Sequence, residues 1–239
     1  MAEHPVVKTI YAVLEKDIRI NLHRFPITIV MQNGDLVLTG AMESVAAKKL
    51  ALMIAAKSHG VDRIVDRLTV TPAESMGDAE IRDHVCKVLL GEPALERCAI
   101  QAVPAGPIET GGQMREPGAT IFVAVSDGVV TLNGEVPSLT HKRLAGALAW
   151  WVPGTRDVVN GLEEVPPEAD NDDELIDAVR LVLEKDPFVD AGTIRVSSKD
   201  WVVTLEGLVP TEAMKQMAER DTWTVLGVKE VISRIQISH

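Results

Sequence analysis

Aromatic residues are scarce in this chain. Its 239 residues include three Phe, four Trp and one Tyr, 3% in all. The cores must therefore rest on Val, Ile, Leu and Ala. Cysteine is nearly absent: only Cys86 and Cys98 occur, which is too few for a disulfide framework. They read as two small apolar core residues. There is no basic stripe. With 24 Lys and Arg against 35 Asp and Glu, the net charge is −11, and the phosphate neutralisation that nucleic-acid binding needs is missing. No apolar run approaches the ~20 residues of a membrane-spanning helix. The stretch MAEHPVVKTIYAVLEKDIRI has no secretory pattern of basic start, apolar middle and small-residue cleavage site. As given, the sequence reads as cytoplasmic, and membrane-peripheral at most.

Recognisable reaction chemistry is also missing. The histidines (His4, His23, His59, His84, His141 and His239) have no metal-ligand spacing with a cysteine or acid. There is no Gly-x-Ser-x-Gly elbow, and Gly111-Gly112 lacks the lysine and Ser/Thr of a phosphate loop. The expectation is a protein that is not an enzyme, with no cofactor, no metal and no catalytic residue.

What the chain does have is one phrase written three times. Ile27–Ala41 reads ITIVMQNGDLVLTGA, Ile121–Val136 reads IFVAVSDGVVTLNGEV, and Ile194–Val209 reads IRVSSKDWVVTLEGLV. Alternating apolar residues on both sides of Asn-Gly or Asp-Gly mark a β-hairpin, because a type I′ turn needs positive φ at both central positions. Gly40, Gly134 and Gly207 align the copies, and Gly60, Gly154 and Gly227 follow at one fixed offset. Between them lie a capping hydroxyl (Ser44, Ser138, Thr211) and a helix-period run, then a third strand. A further helix precedes each hairpin, at about 6–16, 78–90 and 172–185. Asp78, and Asp172 or Asp173, are read as caps of the later two.

The chain is thus an α/β protein of the α+β type: three tandem αββαβ units, each a three-stranded mixed sheet with two helices on one face. The units span 1–72, 77–166 and 171–239. The second carries a Pro- and Gly-rich insertion at 102–119, read as a mobile loop. Gly34 and Gly128 sit at hairpin tips. With Gly40, Gly60, Gly134, Gly154, Gly207 and Gly227 they are read as turn and cap residues. Trp201 takes the position of Gly34 and Gly128. The segment 17–25 reads equally as an edge strand or as an extended lead-in.

The unit resembles the BON domain (bacterial OsmY and nodulation). The resemblance rests on Leu36-Val37-Leu38-Thr39-Gly40, Val130-Thr131-Leu132-Asn133-Gly134 and Val203-Thr204-Leu205-Glu206-Gly207. It continues in Gly60-Val61-Asp62-Arg63-Ile64 and Gly227-Val228-Lys229-Glu230-Val231. Gly154-Thr155-Arg156-Asp157-Val158 departs from that ending. The resemblance implies a non-enzymatic binding module associated with phospholipid or membrane surfaces and with osmotic or envelope stress. It supplies no catalytic residues.

Three partner classes follow, in order. The first is a phospholipid surface, met by the amphipathic Trp201 and Trp151 and by Lys48, Lys49 and Lys57. The second is a homo-oligomer or protein partner, reached through sheet edges and helix faces. The third is a small ligand or ion, with the insertion as a lid. Charge divides the units. Residues 1–73 carry nine basic and seven acidic side chains (+2), 74–166 seven and thirteen (−6), and 167–239 eight and fifteen (−7).

Overall fold

The computed structural model describes residues 4–104 and 119–238. Most of the 102–119 insertion therefore lies outside the described residues. The chain forms two compact bodies, Met1–Thr71 and Pro72–His239.

The first body is one repeat. It runs α1 (Pro5–Leu14), β1 (Ile27–Gln32), β2 (Asp35–Met42), α2 (Val45–Ala56) and β3 (Ile64–Val70). β1 and β2 are antiparallel, and β2 and β3 are parallel. Alternation sends Ile29, Leu36, Leu38 and Leu68 to the face that meets Val7, Ile10 and Leu14 of α1 and Leu50 of α2, all buried. Each such side chain contributes roughly 1.5–3 kcal/mol. Residues 17–25 form turns rather than a strand.

The second body holds two repeats. The first comprises α3 (Asp78–Leu90), β4 (Ala99–Ala102), β5 (Thr120–Ser126), β6 (Val129–Val136), α4 (Leu139–Trp151) and β7 (Asp157–Glu164). The other comprises α5 (Asp172–Lys185), β8 (Ile194–Lys199), β9 (Val202–Val209), α6 (Glu212–Thr224) and β10 (Glu230–Ile237). Sheet orders are β4-β5-β6-β7 and β10-β9-β8. The middle sheet therefore has a strand the sequence reading does not contain: β4, parallel to β5. Four residues ahead of a Pro/Gly-rich stretch give too short an alternation to register as a strand.

All three hairpins close on two residues with positive φ: Asn33 and Gly34, Asp127 and Gly128, Asp200 and Trp201. These are type I′ turns. Trp201 holds φ +69° where the other repeats use glycine, a conformation that costs a side chain about 1–2 kcal/mol. The aligning glycine of each repeat has a different reason. A Cβ on Gly134 or Gly207 would run into the Thr120 or Thr193 carbonyl across the hairpin. Ser44, Ser138 and Thr211 each accept from the N–H three residues on, capping α2, α4 and α6.

Candidate functional site

The last two hairpin tips are held by the helix that precedes them. Asp78, the first residue of α3, accepts from Asp127 N–H (2.9 Å) and Gly128 N–H (2.8 Å). Asp172, the first of α5, accepts from Asp200 N–H (2.9 Å), Trp201 N–H (3.0 Å) and the Ser198 hydroxyl. The expected capping roles of these aspartates are thereby corrected. The N-caps are Gly77 and Asn171, and Asn171 Oδ1 accepts from Asp173 and Glu174. An acid one residue further into the helix is free to reach the donors that a type I′ turn leaves over. The Ser198 hydroxyl, then the Trp201 N–H, hold the Asp172 carboxyl below its ordinary range. That contribution is present above the ordinary range and is lost as pH falls through the lowered value.

Clamping the third tip places Trp201 at the junction of the two repeats of the second body. Arg143 reaches it from α4, with its guanidinium carbon 6.0 Å from the ring centre, and Lys229 Nζ lies 5.8 Å away. Both distances suit cation–π attraction. Arg143 is 2% exposed. Its Nε donates to Leu226 C=O (2.9 Å), and its Nη2 donates to both Asp170 oxygens (2.7 and 2.9 Å). Leu226, Asp170 and Trp201 all belong to the following repeat or to the linker leading into it. Gly227 leaves the space, since a Cβ there would stand 3.1 Å from Arg143 Nη2. Arg143 thus acts as a fork that fastens one repeat to the next.

Around Arg143, α4 packs on α5 as well as on its own sheet. It buries Leu139, Leu144, Ala145, Gly146, Ala147, Leu148 and Ala149. α6, its counterpart, buries only Ala218, Asp221, Thr222 and Trp223. At the Arg143 position α6 carries Gln216, which is exposed. A second contact crosses the junction where Lys185 Nζ meets Glu92 Oε1 at 2.6 Å.

The last repeat also holds a buried acid pair. Asp221 and Asp186 are 8% and 9% exposed. Burial, and next the adjoining Asp186, push the Asp221 carboxyl up to about 8. The pair therefore holds a proton at neutral pH. Trp151 faces the same carboxyl, although its Nε1 closes no hydrogen bond among the described residues. Trp151 and Trp201 are both half-buried and belong to this junction.

The three lysines grouped with them on sequence grounds go elsewhere. Lys48 is 6% exposed. Its Nζ donates to Leu68 C=O at 2.7 Å and pairs with Asp66 at 3.1 Å, so it is a core cation of the first repeat and not a surface contact. Lys49 keeps some exposed surface, but burial pushes its ammonium down to about 7. Lys57, at the C-cap of α2, is exposed. All eight turn and cap glycines have positive φ. Burial raises the pKa of both cysteine thiols, which suits core residues rather than nucleophiles. Among the described residues, no cluster of His, Cys, Asp and Glu could hold a metal ion. No helix among them is long and apolar enough to cross a membrane.

The Arg143 junction was not found by sequence reasoning. One signal was available: Lys49, Arg143 and Gln216 are equivalent, so the cation is absent only from the last copy.

Comparison with known proteins bears on the repeats. The family model for the BON domain matches residues 6–72, 113–166 and 171–238. No curated protein matches the chain. Among solved structures, the C-terminal domain of CdsD, the structural protein of the type III secretion system of Chlamydia trachomatis, is 12% identical. That match covers 100% of both chains with a TM-score of 0.26. A second structure of CdsD is 13% identical over 98% of this chain and 93% of that one, with a TM-score of 0.25.

Proposed function

The chain belongs to the BON domain family, and on that premise we propose that it acts by binding rather than catalysis, as a repeat module that associates with phospholipid surfaces. The observation that carries this reading is the Arg143 fork. It fixes two repeats in one body, so two weak contacts to an extended surface share a single orientational cost. The family's general association with membranes supplies the surface. The +2 charge of residues 1–73, against −13 for the remainder, makes the first repeat the end that approaches anionic headgroups.

A second reading, protein assembly, has its own support. Trp201 is engaged by Arg143 and Lys229, and Lys48 is bonded inside its own repeat. Two side chains suited to lipid are thus occupied internally.

Co-sedimentation with anionic and zwitterionic vesicles at low and moderate salt separates the two. The membrane reading expects pelleting with anionic vesicles only, reversed by salt. Protein that stays in the supernatant throughout overturns it. Pelleting without vesicles selects assembly.

A further inference from the structure

The first hairpin strand of each repeat has an outer side, and the three repeats treat it differently. The turn-closing pairs Gln32↔Asp35, Ser126↔Val129 and Lys199↔Val202 set the alternation. Counting back from them, Ile27 and Ile29, Ile121 and Val123, and Ile194 and Val196 direct their backbone groups away from the partner strand. In the first repeat a side chain fills this edge. The Tyr11 hydroxyl donates to Ile27 C=O (3.0 Å) and accepts from Ile29 N–H (3.0 Å). In the middle repeat β4 fills it, with Ala102 opposite Val123 and Val103 N–H donating to Val123 C=O at 2.9 Å.

In the last repeat neither device is present. β8 pairs with β9 alone among the described residues. Ile194 N–H is used by Ala191 C=O. The Ile194 carbonyl and both backbone groups of Val196 have no hydrogen bond to any described residue. The side chains of Ile194 and Val196 point into the core, so the strand itself is firmly held. The first helices of the first and last repeats share Leu-Glu-Lys-Asp at their ends, Leu14–Asp17 and Leu183–Asp186. That match puts Arg180 in the place of Tyr11. Arg180 is 53% exposed and pairs with Asp177 on its own helix at 3.6 Å, so it does not plug the edge.

The surroundings choose the occupant. Arg195, Ser197 and Lys199 alternate along β8 and are all exposed. Lys199 lies opposite Val202 and has no acid across the hairpin. Arg195 lies opposite Glu206, which Arg234 already bonds at 3.0 Å. A second copy of β8 would bring like charges together, which edge cations discourage. An acidic strand meets cations instead, on a chain that is otherwise strongly acidic.

We propose that the outer edge of β8, from Ile194 to Ser198, is a docking edge for an extended acidic segment of a partner protein, added parallel to β8 as β4 is added to β5. Backbone bonds to Ile194 and Val196 hold the segment. Its acids pair with Arg195 and Lys199, and its apolar residues cover the core as Ile100 does opposite Ile121. The edge is independent of any membrane role.

The probe is a blocked heptapeptide alternating valine with glutamate, titrated into the full-length protein and followed by amide NMR shifts and hydrogen exchange. The Val196 and Ser198 amides are expected to shift, and exchange at Val196 is expected to slow. The same peptide with lysine for glutamate binds at least about tenfold more weakly, since two cross-strand pairs change sign. Arg180→Tyr, which places the first repeat's plug on an exposed helix position, abolishes the Val196 response. An unchanged Val196 amide, equal binding of the two peptides, or binding that survives Arg180→Tyr would each overturn the proposal.

Discussion

Arg143→Ala is expected to lower the unfolding free energy of the Pro72–His239 body by about 2–4 kcal/mol. The substitution removes charge-assisted hydrogen bonds to Leu226 C=O and to Asp170, each contributing roughly 1.5–3 kcal/mol. Asp170 is 43% exposed, so its carboxylate regains water and offsets part of the loss. The Leu226 carbonyl loses its donor, and the buried stem of Arg143 leaves a void against Gly227. Arg143→Lys should recover little, because an ammonium cannot serve both acceptors in the plane of a fork. Urea unfolding gives the magnitude, and amide exchange at Leu226 and Gly227 gives the location. A loss under about 0.5 kcal/mol, the range of surface substitutions, would mean that the fork does not hold the junction.

Asp221→Asn should act in the opposite direction, and increasingly as pH rises above about 4. The Asp221 carboxyl has an ordinary value of 3.8 and is raised to about 8 in the folded chain. Across that window the folded state binds a proton that the unfolded chain has released. Stability therefore falls as pH rises, by at most about 1.4 kcal/mol per pH unit. Asparagine has no proton to lose, so the variant escapes this slope. Thermal unfolding of the two proteins should coincide near pH 4 and diverge steadily. By pH 8 the variant should melt higher by about 5 °C or more, taking 2–4 °C per kcal/mol for a domain of this size. Parallel melting curves across pH 4–8 would show that Asp186 and Asp221 share no proton.

The sequence carried the fold because its determinants are local. Asn33-Gly34 and Asp127-Gly128 announce type I′ turns, Ser44, Ser138 and Thr211 announce helix starts, and the repetition puts Asp200-Trp201 in the same role. The junction is not local. Arg143 and Leu226 are 83 residues apart in sequence, and nothing in the composition of either segment links them. Lys48 shows the same limit. Lys48, Lys49 and Lys57 read as surface contacts until β3 brings Asp66 and the Leu68 carbonyl under Lys48. The aspartates at the starts of α3 and α5 are legible in the sequence only as groups near a helix end. Their partners are turn N–H groups that only the folded hairpin brings within reach.

The last two repeats form one compact body fastened through Arg143. Amide residual dipolar couplings from the full-length protein in a weakly aligning medium test it most directly. Couplings from 78–104 and 119–164, and those from 172–238, are expected to fit a single alignment tensor. Two tensors of different magnitude or orientation would contradict it, because the repeats would then reorient independently and Arg143 would not be holding them together.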